Sequence, residues 1–270
     1  MQFWQDFQET MLKTLLGYKR LGLITDVDGT ISPIVDRPDD AYVTARNIEL
    51  LTALCEILPL VAAVSGRSAG DIHGRVGVPQ MEYIGNHGLE RWQDGEAVIM
   101  PTVAEFRPDI EAAKAAVEQQ APEGVWVEDK QATLSIHYRQ AVKAESFADA
   151  FRPTMEKIAA EHGVRLFEGR MIFELRPPVE ANKGTALQTL IDEYELEAAV
   201  FLGDDVTDVD AMHVGAALRE AGRCYVLSVG VSADETPLAV TEAADMFAES
   251  ISGVESFLEW MLRARRESVT

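Results

Sequence analysis

LGLITDVDGTISPI, from Leu21 to Ile34, carries a mostly apolar run into Asp26, skips one position to Asp28, and continues through Gly29 and Thr30. A short apolar run bounded by turn residues reads as a buried strand. Two carboxylates at its end need a reason. They can form an Asx-turn, in which a short polar side chain bonds the backbone ahead of it. They can also be chemical: one carboxylate attacks phosphorus to form an aspartyl-phosphate, and a second protonates the leaving oxygen and later activates water.

Outward from this stretch the chain alternates. Trp4, Phe7, Met11, Leu15 and Leu16 predict an amphipathic helix over residues 4–17. Ile48, Leu51, Leu54, Cys55 and Leu58 predict another over 44–58. PLVAAVSG predicts a strand over Leu60–Val64 ending at Ser65-Gly66-Arg67, and after a short helix MEYIGNHG predicts a strand ending at Gly85-Asn86-His87-Gly88. The alternation resumes near Ala181 with a helix in KGTALQTLIDEY and a strand in AAVFLG ending at Gly203-Asp204-Asp205. A helix in TDVDAMHVGAAL follows, with Thr207 expected to cap it, then a strand in RCYVLSVG and a last helix over Ser252–Arg266. Strands alternating with helices specify an α/β fold with a parallel sheet.

Residues 103–179 break the pattern. DIEAAKAAVEQQA reads as a helix, and VWVED and ATLSIHYR as paired strands. KAESFADAFRPTMEKIAAEHG is a helix that Pro153 is expected to kink or restart and that Gly163 ends. VRLFEG and MIFELRP form a second strand pair. The expected organisation is a core of 1–102 and 180–270 with an α+β insert of 103–179.

The four polar clusters follow core strands. In an open parallel sheet the carboxyl ends of the strands form the ligand crevice, so all four are expected around one hole. Asp26, Asp28 and Asp204 would repel one another unless a cation sat between them, and a hard divalent ion such as Mg2+ suits oxygen ligands. Ser65 either holds phosphoryl oxygens at a helix start or only caps that helix. Lys183 is the natural point charge for a phosphoryl group and partner for Asp26, or a solvated lysine. Asp205 and Asp208 would hold metal-bound water or orient Lys183, while Asp210 reads as a solvated helix residue.

Composition narrows the partners. With 45 acids against 24 bases the net charge is −21, which excludes nucleic acid as a partner and requires any anionic substrate to meet a locally basic or metal-bearing site. Cys55 and Cys224 are the only cysteines and show no disulfide or metal spacing; both are expected buried and reduced. The first twenty residues lack an apolar h-region and carry acids, so no signal peptide is expected. No stretch approaches the ~20 apolar residues of a membrane span, and a soluble, cytoplasmic chain is expected.

DVDGT, SGR, the Lys183-Gly184 pair and GDDVTD occur in the order of the haloacid-dehalogenase-like phosphohydrolases, which this sequence resembles. YIGNHGLE (Tyr83–Glu90), VEDKQATLSIHYR (Val127–Arg139), FELRPPVEANKG (Phe173–Gly184) and LGDDVTDVDAM narrow the resemblance to the trehalose-6-phosphate phosphatase family, from Leu21 to Met212 and more weakly beyond. The resemblance implies a Rossmannoid core with a C2-type cap formed by the insert, and Mg2+-dependent hydrolysis of trehalose 6-phosphate to trehalose and phosphate. It implies Asp26 as nucleophile and Asp28 as general acid and base, with the Asp28 carbonyl, Asp26 and Asp204 on the metal and Asp205 or Asp208 behind them. It implies Thr30, Ser65 and Lys183 on the phosphoryl group. Glu128, Lys130, Arg139 and Glu174 of the cap would bond the sugar, while His137 can point to either face and Arg67, Asn86 and His87 would line the cleft. Met212 and Ile31 depart from the usual aromatic and leucine as apolar exchanges. A sucrose phosphate or a mannosyl phosphoglycerate would change only the sugar, and Glu128-x-Lys130 favours trehalose. A catalytically silent regulatory domain would show a broken set, whereas Asp26, Asp28, Lys183 and Asp204 are all present. The resemblance also implies functional coupling to trehalose-6-phosphate synthase, and the N-terminal helix is expected either to pack on the core or to meet that enzyme.

Overall fold

A computed structural model describes the chain at every residue except 36, 143, 170, 234, 235 and 270. The strands are β1 (Leu21–Thr25), β2 (Leu60–Val64), β3 (Glu82–Gly85), β4 (Glu90–Gln93), β5 (Glu96–Ile99), β6 (Trp126–Asp129), β7 (Leu134–His137), β8 (Arg165–Gly169), β9 (Ile172–Arg176), β10 (Ala198–Gly203), β11 (Tyr225–Ser232) and β12 (Met246–Glu249). They make two sheets, ordered β12-β11-β10-β1-β2-β3-β4-β5 and β6-β7-β9-β8. The chain divides into two compact units, Met1–Ala97 with Ala181–Thr270, and Val98–Glu180.

In the first unit β12 through β3 run parallel, with β1 and β10 at the centre. A parallel sheet is covered on both faces, so its strands read as continuous apolar runs. Alternate residues of β10 enter opposite cores: Ala198, Val200 and Leu202 join Leu51, Leu54, Phe257 and Met261, whereas Ala199 and Phe201 join Leu187, Leu190, Ala211 and Met212. Burying each of the Val, Leu, Phe and Met side chains contributes roughly 1.5–3 kcal/mol, which fixes the strands as a rigid platform. Thr44 caps the helix Ala45–Cys55 by accepting from Asn47 N–H. Ser68 caps the helix Ala69–Val76 in the same way, so Ser65 is not that helix's cap.

Several expectations change. The N-terminal helix divides into a 3-10 turn, Trp4–Phe7, and a helix, Met11–Leu16. The Thr10 hydroxyl bonds back to Phe7 O and competes with the helical ladder. Both pieces pack on the core through Trp4, Leu12 and Leu15, with Trp4 against Phe257 and Trp260. Thr207 lies inside a 3-10 turn that Asp205 caps instead. The last helix starts earlier, at Ser250, and β4, β5 and β12 were not anticipated.

The second unit is an antiparallel sheet with its own core. Leu134, Ile136, Phe173 and Leu175 pack on Ile110, Ala113 and Val117 of the helix Arg107–Gln120 and on Met155 and Ile158 of the helix Ala144–Glu161. The latter runs through Pro153 as one element, because its apolar face is buried on both sides of the proline. Among the described residues, no helix is long and apolar enough to cross a membrane. Cys224 is buried and Cys55 half-buried; both are free thiols.

Candidate active site

Strand register gathers the four polar clusters. Thr25 pairs with Leu202 on one side and Ala63 on the other, and Val64 pairs with Ile84. The residues that follow β1, β2, β3 and β10 therefore emerge side by side at one sheet edge. Asp26 N–H donates to Leu202 O at 2.8 Å, extending the ladder one residue beyond β1. The chain then turns tightly, with the N–H groups of Thr30, Ile31 and Ser32 converging on Val27 O at 3.3, 3.0 and 2.9 Å. Gly29 takes φ +83°, and a Cβ there would collide with the Asp204 carboxylate. Only glycine lets the β1 and β10 loops close together at this point.

Lys183 is the centre of the cluster. It opens the helix Lys183–Glu193, whose start is fixed by a reciprocal capping box between Asn182 and Thr185. Its Nζ lies 2.8 Å from Asp26 Oδ1 and 2.6 Å from Asp208 Oδ1, with the side chain 3% exposed. Burial alone would lower its pKa, but the Asp208 and Asp26 carboxylates outweigh burial and hold it above the ordinary lysine value. Both Asp208 oxygens are engaged, since beside Lys183 on Oδ1 its Oδ2 accepts the N–H groups of Asp204 and Asp205 at 3.0 Å each. Asp205 is exposed and accepts Val206 N–H.

Oxygens of Asp26, Asp204 and Asp208 lie within 4.8 Å of one another. Burial raises the Asp26 pKa well above the usual carboxylate range, and Asp208 and Asp204 push it further up against the pull of Lys183. Burial likewise lifts Asp204 to about 7, helped by the charge of Asp208 and opposed by the hydroxyl of Thr30. That hydroxyl donates to Asp204 Oδ1 at 3.0 Å. Carboxylates so placed are strained when ionised together. Their hard oxygen donors and their mutual repulsion fit a divalent cation such as Mg2+.

Asp28 stands apart from this cluster. Both its oxygens are held by Arg67, at 2.6 Å from Nε and 2.9 Å from Nη2. Arg67 Nη1 reaches Asp71 at 2.8 Å, and Asp71 accepts Arg75 Nε at 2.9 Å. Asp71 and Arg75 were not singled out from the sequence, although Arg67, Asp71 and Arg75 recur at helical i, i+4 spacing. Ser65 is buried, and its Oγ accepts Arg67 N–H at 3.3 Å. Asn86 and His87 occupy left-handed backbone, at φ 48° and 58°. Their N–H groups donate to Arg67 O and Ser65 O. The His87 ring covers Gly66, where a Cβ would meet it at 2.6 Å. The β2 and β3 loops thus form one hydrogen-bonded layer.

The remaining expected residues belong to the second unit. Lys130 Nζ lies 3.8 Å from Glu174 Oε1, and Glu174 is also paired with Arg176. His137 Nε2 is 2.9 Å from Glu128 Oε2, so the ring shares the Glu128 face of the sheet. Arg139 is exposed in the turn after β7.

The family model described as trehalose-phosphatase matches residues 24–238. The chain belongs to the trehalose-phosphatase family. Members of that family are phosphoric monoester hydrolases of haloacid-dehalogenase-like fold, and the mostly parallel sheet with an added antiparallel unit is that fold. The trehalose-phosphate phosphatase B of Arabidopsis thaliana is 30% identical over 268 residues, covering 93% of this chain and 68% of that protein. The trehalose-phosphate phosphatase of Mycobacterium tuberculosis H37Rv is 35% identical over 199 residues, covering 70% of this chain and 50% of that protein. The chain thus spans about half the length of its mycobacterial relative. A solved trehalose-6-phosphate phosphatase related protein shares the fold at a TM-score of 0.74 with 23% identity, covering 91% of this chain and 99% of the other.

Proposed function

We propose that this chain hydrolyses trehalose 6-phosphate through a phosphoaspartate on Asp26, with Mg2+ as cofactor. The observation that carries the proposal is the buried Lys183 ammonium bonded to Asp26 and Asp208 among clustered carboxylates. A fixed cation beside a carboxylate nucleophile neutralises charge that builds on a phosphoryl group without reorganising during the reaction.

In the first step an Asp26 oxygen bonds to phosphorus. The bond from phosphorus to the sugar oxygen breaks, and that oxygen leaves with the electron pair and takes a proton from Asp28. In the second step Asp28 takes a proton from water, whose oxygen bonds to phosphorus. The bond from phosphorus to Asp26 breaks, releasing phosphate and restoring the carboxylate. Arg67 engages one acceptor site on each Asp28 oxygen, which leaves a second site on each oxygen for the proton. Thr30 and Ser65 hold phosphoryl oxygens, and Arg67, Asn86 and His87 border them. Asp26, Asp204 and the Asp28 carbonyl would hold the cation, with Asp208 and Asp205 supporting them; when bound it adds charge neutralisation at the phosphoryl group.

In the same reading the unit Val98–Glu180 is the specificity cap, with Glu128, Lys130, Arg139 and Glu174 bonding sugar hydroxyls. The chain would consume the product of a trehalose-6-phosphate synthase. A phosphate-release screen over trehalose 6-phosphate, sucrose 6-phosphate, glucose 6-phosphate and mannosyl phosphoglycerate tests the proposal. Preferred turnover of trehalose 6-phosphate is expected. A clear preference for another ester would refute the substrate, and no release from any would refute the activity.

A further inference from the structure

One face of the insert's sheet carries an aromatic pair that the proposed chemistry leaves unused. Leu134, Ile136, Phe173 and Leu175 point into the core. Side chains alternate across a strand, so Trp126 and Glu128 of β6 share the other face with Ser135 and His137 of β7. Trp126 and His137 are cross-strand partners. Their rings stack with centroids 3.9 Å apart and planes 5° from parallel. Glu128 holds the His137 ring at Nε2, so the plane against which the indole lies is fixed.

Trp126 is nonetheless 48% exposed, on the edge strand of its sheet. An indole left half in water forgoes much of the stabilisation that burying it would bring, and packing on one side by an anchored imidazole does not bury it. What the arrangement provides is a flat, preset π face beside a carboxylate. The negative ring face attracts the partly positive axial C–H bonds of a hexose, and sugar sites combine such apolar surfaces with a few placed polar groups.

We propose that Trp126, backed by His137, is a specificity-determining residue that stacks on a hexose ring of the disaccharide substrate. The inference rests on the reading of the chain as a trehalose-6-phosphate phosphatase. The test uses the full chain with the variants W126A and W126F, in steady-state kinetics on trehalose 6-phosphate and in tryptophan-fluorescence titrations with trehalose and, separately, with inorganic phosphate. W126A is expected to raise KM by about tenfold, the size of one good aromatic contact, with a kcat change below about twofold. W126F, which keeps a ring, is expected to recover most of that loss. Trehalose should change the emission of the wild-type chain and phosphate should not, and the trehalose-induced change should vanish in W126F. An unaltered KM in W126A, or an emission change that persists in W126F, overturns the stacking while leaving the phosphatase reading in place. A wild-type chain that responds to trehalose yet releases no phosphate from the ester refutes the phosphatase reading and keeps the stacking.

Discussion

Asp208→Asn is the sharpest probe of the site, because it keeps the shape of the side chain while removing its charge and turning one acceptor into a donor. Asp208 is fully buried, and its oxygens accept one ammonium and two backbone N–H groups. An amide at this position must turn its NH2 toward one of those donors, so at least one contact becomes donor against donor. Among the described residues, Lys183 then keeps Asp26 as its carboxylate partner. Removing one member of a buried charged network costs about 3–5 kcal/mol, a loss of roughly 10 °C in Tm for a chain of this size. The control is Asp205→Asn, at an exposed cap where asparagine serves as well as aspartate, and its cost should stay under about 0.5 kcal/mol. Thermal and urea unfolding in EDTA, read by circular dichroism and tryptophan emission, compares the two without a bound cation. A D208N chain within 1 kcal/mol of the wild type would refute the picture of Asp208 as the counter-charge that holds Lys183.

Asp26→Asn should abolish phosphate release while leaving the circular dichroism spectrum unchanged; retained turnover would remove the covalent step. EDTA should silence the enzyme and Mg2+ restore it, and turnover that survives chelation would contradict the assignment of the carboxylate cluster to a cation. In the insert, hydrogen bonds from Arg107 hold Asp129 down at about 2 against partial burial, with further help from Gln131 N–H. The folded value lies below the unfolded value of about 3.9. The pair therefore contributes fully above about pH 5, and its contribution, about 1 kcal/mol after solvent screening, fades as the pH falls through 4 toward 2. The stability gap between wild type and Asp129→Asn should close over that window, and a constant gap would refute the linkage.

The central strands were legible because both their faces are buried: LGLIT, LVAAV and AAVFLG are unbroken apolar runs, and each ends where the polar chemistry begins. The β4–β5 hairpin was not anticipated, although Asp94-Gly95, at φ 51° and 90°, is a strong two-residue turn signal. Its strands are short and β5 is mostly exposed, so their hydrophobic period is faint. Pro153 does not restart its helix, because the local rule about helix breaking is overridden by an apolar face packed on either side of it. The Arg67–Asp28 fork joins residues 39 positions apart. No local pattern marks such a pairing; it exists only once β1 and β2 lie side by side.

That β1 pairs with β10, Leu21 beside Ala198, sets an order on assembly. Asp26, the proposed nucleophile, and the second acidic cluster cannot meet until a very long loop has closed, and closure entropy grows with the logarithm of loop length. The insert Val98–Glu180 makes up about half of that loop and has a core of its own. If it folds first, the flexible length falls by about half, easing closure by about 0.6 kcal/mol. Pulse-labelled hydrogen exchange during refolding would show β7 and β9 protected before β1 and β10, and the reverse order would refute it. The same segment that carries the proposed sugar contacts would then act earlier, as a clip that shortens the search between the two halves of the core.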